Sequence, residues 1–194
     1  MSERPQDSSP LSDLELYTRM LDDTHGRGLE EAERWLLEHP EEAHPRLVSL
    51  LETREVNPYA ILRLLPRFGR PESVSVIESC LYVGGESLSA AAAFALADHP
   101  SAGALDALTR ALDSSRVETR TAAADGLWAR GDTLAGPALL ARLEEPHAVV
   151  RYHVLQAAGM LGVLPRRRLE EIARRDTDPD VRGLAETLLT NPDP

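Results

Sequence analysis

The sequence predicts an all-α fold built from about twelve short helices in series. Three observations carry this reading. Apolar residues fill 42% of the 194 positions and aromatics only 4%, so Leu, Ala and Val must supply the core. An Ala- and Leu-rich composition with few β-branched residues favours helix. Pro recurs behind short polar breaks about every 12 to 20 residues, and Pro at a first helical turn marks a helix N-terminus. No segment alternates with period two, so no sheet is expected.

The elements follow in order. Residues 1–10 hold two Pro, three Ser and no apolar periodicity, and they read as a disordered arm. Ser12 is an N-cap for the first helix, LELYTRML. The second runs from about Leu29 to Glu38, with Leu29, Ala32, Leu36 and Leu37 on one face. Pro40 opens the third, which runs to about Glu52. Asn57 and Pro58 cap and open the fourth, YAILRLLPRF, where Pro66 is expected to kink or shorten the last turn. Pro71 opens ESVSVIESCLYV, Gly84 and Gly85 break it, and LSAAAAFALADH follows. Pro100 and Ser101 open AGALDALTRALDSS; VETRTAAADGLWARG and LAGPALLARLEE come next. Pro146, Pro165 and the Asp178-Pro179 pair open the last three helices, and 191–194 form a short tail. His39 and His99 each precede Pro at a helix end, where a cation would complement the terminus.

The second half repeats itself. Val117, Val150 and Val181 each stand near a helix start behind a polar turn, at separations of 33 and 31 residues. TAAADGL at 121–127 matches VLQAAGM at 154–160, and Leu88 with AAAFALA at 91–97 is a looser, earlier copy. The strings PHAVVRYHVLQAAGMLG and DPDVRGLAETLL resemble the HEAT-like repeat pattern: Asp-Pro-x-Val-Arg, a small-residue run, then Leu-Gly. The form near thirty residues resembles the bacterial type first described in phycobilisome lyases. The resemblance runs from about Gly85 to Thr190, while 11–84 shares only the helix-pair rhythm.

This resemblance implies a right-handed α-solenoid of about six helix pairs. Each pair buries its apolar face only against its neighbours, so the stack forms one continuous core. Residues 11–190 then make a single solenoid domain, with 11–84 as degenerate or capping helices and 85–190 as clear repeats. Ala122, Ala123, Ala157 and Ala158 let helices approach closely. In such solenoids the second helices line the concave face, the usual binding surface. The function implied is a non-catalytic adaptor, scaffold or regulatory subunit that binds another protein, with no catalytic residue, cofactor or metal.

The Arg after the signature Val is present as Arg151 and Arg182, and Glu118 replaces it in the middle copy. In HEAT-like proteins this Arg pairs with acids of an adjacent turn, here Glu145, Asp178 or Asp180. Direct contact with a ligand is the alternative. Arg116, Arg120, Tyr152 and His153 lie near the same helix starts. With Arg151 and Arg182 they form the expected partner-binding set.

A second set is the basic cluster Arg166, Arg167, Arg168, Arg174 and Arg175, interleaved with Glu170 and Glu171. Spacing of four pairs Arg167 with Glu171 and Glu170 with Arg174 on a solvated face. Asp125 and Trp128 lie one turn apart, and HEAT-like alkylpurine DNA glycosylases use a Trp and an Asp around a groove. The plainer reading has Trp128 packed between helices and Asp125 in solvent.

Charge weighs against nucleic acid. The net charge is −11, all 21 basic residues are Arg, and residues 1–60 alone sum to −8. A nucleic-acid binder shows a net basic footprint. The Arg-for-Lys bias points to a GC-rich bacterial coding sequence. The lone Cys80 lies in an apolar helical run and reads as a small buried hydrophobe. The six His are scattered, without the spacing of a zinc site. No stretch approaches the roughly 18 apolar residues of a membrane span, and the N-terminus lacks the apolar core of a signal peptide, so the expected location is cytoplasmic. Two other functions stay open: a HEAT-like enzyme (a chromophore lyase or isomerase relative, or a DNA base-excision enzyme), which needs a deep pocket, and nucleic-acid binding through 166–175.

Overall fold

A computed structural model describes residues 12–22 and 27–190. The arm at 1–10, His25 and the tail at 191–194 lie outside the described residues. The described residues form twelve α-helices and one 3₁₀ turn, with no strand among them. The chain divides into two compact units at Phe68 and Gly69.

The first unit holds α1 (Asp13–Met20), α2 (Arg27–Glu38), α3 (Pro40–Thr53) and α4 (Pro58–Phe68). Its start is fixed by a capping box: the Glu15 amide donates to Ser12 Oγ, and the Ser12 amide donates to the Glu15 carboxylate. Asn57 caps α4 by accepting from the Tyr59 amide at 3.0 Å. Pro66 is buried inside α4, which ends two residues later at Phe68. The core is aliphatic, with Leu36, Leu47, Ile61, Leu64 and Leu65 wholly removed from solvent. Tyr17 stacks on Trp35 at 4.8 Å between ring centroids, and Trp35 stacks on His39 at 4.0 Å.

The second unit is built from four pairs. The first helices are α5 (Ser73–Tyr82), α7 (Ala102–Ala111), α9 (Gly136–Ala141, behind the 3₁₀ turn Thr133–Ala135) and α11 (Arg166–Arg175). The second helices are α6 (Glu86–Asp98), α8 (Val117–Arg130), α10 (Ala148–Met160) and α12 (Pro179–Thr190). The second helices start at 86, 117, 148 and 179, so the true period is 31 throughout. They pack in sequence, α6 on α8, α8 on α10 and α10 on α12, while each first helix leans on its own partner. This is the HEAT-like stacking that the repeat predicts.

The period corrects the register read from sequence. Val150 and Val181 are matched by Thr119, not by Val117. Thr119 is wholly buried and its hydroxyl donates to the Leu81 carbonyl at 2.7 Å, whereas Val117 opens α8 at the surface. The Thr side chain has the branched shape of Val, and the carbonyl of a neighbouring helix end satisfies its hydroxyl. Leu88 falls into the same row, 31 residues earlier. Four residues further along, Ala92, Ala123, Val154 and Ala185 form a row that is 0% exposed at every step. At Gly126 the helices come closer still: a Cβ would lie 2.9 Å from the Ala93 carbonyl oxygen and 2.8 Å from Leu108 Cδ2.

His99 departs from the expectation of a terminal cation. It is buried, and burial pushes its pKa below the usual histidine value. Nδ1 accepts from the Ser101 amide at 3.1 Å, which leaves Nε2 to donate toward Arg70 O at 3.2 Å. The ring therefore works as a neutral bridge between helix ends.

Candidate functional site

The corrected register puts Arg120, Arg151 and Arg182 at equivalent positions, so Arg120, and not Glu118, is the signature arginine of its repeat. All three use one device. Each Nη1 donates to the carbonyl six residues upstream: Ser114 at 2.7 Å, Glu145 at 2.9 Å and Asp176 at 2.8 Å. Two also reach into the next repeat. Arg120 Nη2 donates to Glu145 Oε1 at 2.7 Å, and Arg151 grips both Asp176 carboxylate oxygens at 2.9 and 2.7 Å. Each acid thus serves twice, its carbonyl to its own repeat and its carboxylate to the one before.

Sequence reasoning foresaw such a ladder but named the wrong rung for Arg151: its partner is Asp176, with Asp178 caught up instead in capping Asp180 and Val181. Where the first repeat has Ser89 in place of Arg, the next repeat has Ser114 in place of the acid, so both charges are missing together.

The rungs are inside the protein. The Arg120 and Glu145 side chains are 7% and 6% exposed. Burial works to raise the Glu145 pKa, but hydrogen bonds from His147 and Arg120 outweigh it and hold the carboxyl below its usual range. The Arg151 hydrogen bond holds Asp176 low against the opposing effect of burial. Arg120 Nε is buried without a hydrogen-bond partner, so this rung is the less well satisfied of the two. Arg116 is also turned inward, donating to the Tyr82 and Gly84 carbonyls at 2.9 and 2.6 Å. Of the expected binding set, Arg116, Arg120, Arg151 and Arg182 are therefore bound to the repeat turns, and Tyr152 and His153 sit together on the outward side of α10.

That outward side of the second helices carries a surface the sequence did not single out. Phe94, Trp128 and Val149 are 46%, 39% and 49% exposed there. Trp128 is thus not packed away, and Asp125 is not left to solvent: its carboxylate meets His153 Nδ1 at 2.6 Å, tying α8 to α10. That bond raises the His153 pKa, against burial and with help from Glu86. The pair lies in a cleft of about 220 Å³ with Glu86, Glu118 and Val149 in its walls. A broader groove of about 800 Å³ follows between α10 and α12, lined by Val149, Tyr152, Leu184 and Gly183 and edged by Asp178 and Asp180. The signal for this surface was in the period. Val149 aligns with Ser87, Glu118 and Asp180, and Phe94 with Asp125, Gln156 and Thr187, rows that are polar in every other copy.

Two arginines of the basic cluster on α11, Arg166 and Arg168, are held in ion pairs. Arg166 pairs with Glu170 at 3.3 Å, Arg168 with Glu171 at 2.7 Å and also with Glu144, and Arg174 Nε donates to the Glu170 carbonyl at 2.9 Å. Glu171 is taken by Arg168 instead of Arg167, because the i, i+3 geometry competes with i, i+4 on the same face. Among the described residues no group of three or more His, Cys, Asp or Glu could hold a metal ion, and no helix is long and apolar enough to cross a membrane.

Comparison with known proteins agrees with this repeat. Residues 84–159 match the family model of HEAT repeats. No curated protein matches the chain. Among solved structures it is similar to the complex of CpcE and CpcF of phycocyanin lyase from Nostoc sp. PCC7120, at 23% identity over 95% of this chain and 79% of that one, with a TM-score of 0.48. It is also similar to an engineered protein, at 19% identity over 94% of this chain and 97% of that one, with a TM-score of 0.47. Residues 84–159 thus carry HEAT repeats, and the same 31-residue helix period continues through α12.

Proposed function

We propose that the chain is a non-catalytic binding module that receives another protein on the outward side of α6, α8, α10 and α12. The observation that carries this reading is the division of labour on those helices. Every arginine they hold, at 120, 130, 151 and 182, donates to carbonyls or carboxylates of a neighbouring turn. The opposite side is left with exposed Phe94, Trp128 and Val149 among carboxylates. Aromatic and aliphatic anchors ringed by polar groups are the anatomy of an interface. A catalytic reading has less to stand on. Across the cleft from His153, the Thr121 hydroxyl donates to the Val117 and Glu118 carbonyls, so it is not poised as a nucleophile.

Affinity capture from the native lysate tests the reading when wild type is compared with Val149→Asp and Trp128→Ala. Both changes are at exposed positions and should leave the circular dichroism unchanged. The reading predicts that a defined protein retained by wild type is lost from both variants. Equal retention by all three would overturn it.

A further inference from the structure

Two clefts share one wall on the second-helix side, and their linings differ. The cleft at α8 and α10 gathers Glu86, Glu118 and the Asp125–His153 pair, with Val149 in the wall it shares with the groove. The groove at α10 and α12 presents Tyr152, Leu184 and the other side of Val149 along its walls, with Asp178 and Asp180 at its edge. Its volume of about 800 Å³ falls in the range of ligand-sized sites, about 300–1,000 Å³. No arginine lines either cleft, although the chain holds 21; Arg116 approaches Glu118 only at 3.9 Å, its Nη atoms being held by the Tyr82 and Gly84 carbonyls. Carboxylates near low-dielectric walls favour a cation, and the Tyr152, Leu184 and Val149 walls of the groove favour a hydrocarbon side chain.

The spacing narrows the occupant further. Packed helices lie about 8–10 Å apart, and an extended chain rises about 3.3 Å per residue. A strand crossing the helices therefore moves from one cleft to the next in three residues. Gly183 and Ala90, in the walls of the groove and the cleft, leave room for a backbone to lie close.

Resting on the binding-module reading above, we infer that this surface takes an extended segment of its partner, with a basic side chain between Glu86 and Glu118 and an apolar side chain three residues away against Tyr152 and Leu184. Contact is electrostatic and hydrophobic at two points, with Val149 as the ridge between them. A purely apolar segment satisfies only the groove, and an acidic one is repelled by the carboxylates of the cleft.

The probe is a phage-displayed library of random twelve-residue peptides selected on the intact protein. The strongest sequence is then synthesised and its binding measured by fluorescence anisotropy. The inference predicts enrichment of Arg or Lys three residues from Leu, Ile, Val or Phe. Glu118→Arg and Val149→Asp should each weaken the selected peptide at least tenfold, as should replacing either key peptide residue by Ser. Enrichment without a basic residue, or with basic and apolar residues seven apart as a helix would place them, overturns the inference. So does binding that ignores both protein variants, or no enrichment at all. These results are separable from failure of the broader reading: if the lysate partner is still lost from Val149→Asp, the surface binds a protein by some other chemistry, and if it is retained, the surface itself is wrong.

Discussion

The two units of this chain reach paired helices by different routes. In residues 69–190 neighbouring repeats are joined by polar rungs that recur every 31 residues: Arg120 to Glu145, then Arg151 to Asp176. Among the described residues of 12–68 no such rung recurs. That unit relies on large aliphatic residues such as Leu36, Leu47 and Ile61 and on one aromatic stack, Tyr17–Trp35–His39. A repeated contact requires repeated residues, so it leaves a period in the sequence. A core packed once by Leu and Ile leaves only amphipathic helices. The difference explains why the repeat is plain from residue 85 onward and faint before it.

The sharpest way to break the comparison is to remove one end of a rung. Glu145→Ala strands the buried Arg120 cation and should cost about 3–5 kcal/mol of unfolding free energy. Urea denaturation monitored by Trp128 checks this. Replacing both partners by Met should recover most of the loss, because the buried charge goes with its partner. A smaller loss is expected from Gly126→Ala, which crowds the Ala93 carbonyl between α6 and α8. Overpacking of this kind costs about 1–3 kcal/mol. The same substitution at Gly159 meets only the flexible Leu188 side chain and should cost less. In the first unit, Trp35→Leu keeps an apolar group but removes two ring stacks, for about 1–2 kcal/mol. Thermal unfolding monitored by circular dichroism orders the four single variants.

The smallest effect is in pH, and two histidines of the second unit should pull in opposite directions. The His153 pKa is raised by Asp125, so its contribution is fully present below about 6.5 and is lost as pH rises through the folded value. The His99 pKa is lowered by burial, so its contribution is present above about 6.5 and is lost as pH falls. Asp125→Asn should flatten the alkaline limb of the stability profile and leave the acidic limb in place.

Much of the fold was legible. Pro at helix starts, the Ser12 and Ser101 caps and the small-residue rows located the helices because those signals are local. The register slipped by two residues at α8 because Thr119 stands where the pattern has Val, and the carbonyl that satisfies its hydroxyl is 38 residues away. Arg120 read as a partner contact for the same reason: the acid that claims it lies 25 residues downstream. Phe94 and Val149 do not stand out in the sequence because a helix alone does not say which apolar residues face a neighbour. Only alignment at 31 sets them beside polar counterparts in the other repeats.

The most direct test of the account is to label carboxylates with a carbodiimide and read them by mass spectrometry, with and without the captured partner. The account predicts that the partner shields Glu86, Glu118 and Asp180 on the second helices, while Glu170 on α11 labels equally in both states. Shielding of Glu170 with unchanged labelling of Glu86, Glu118 and Asp180 would contradict it.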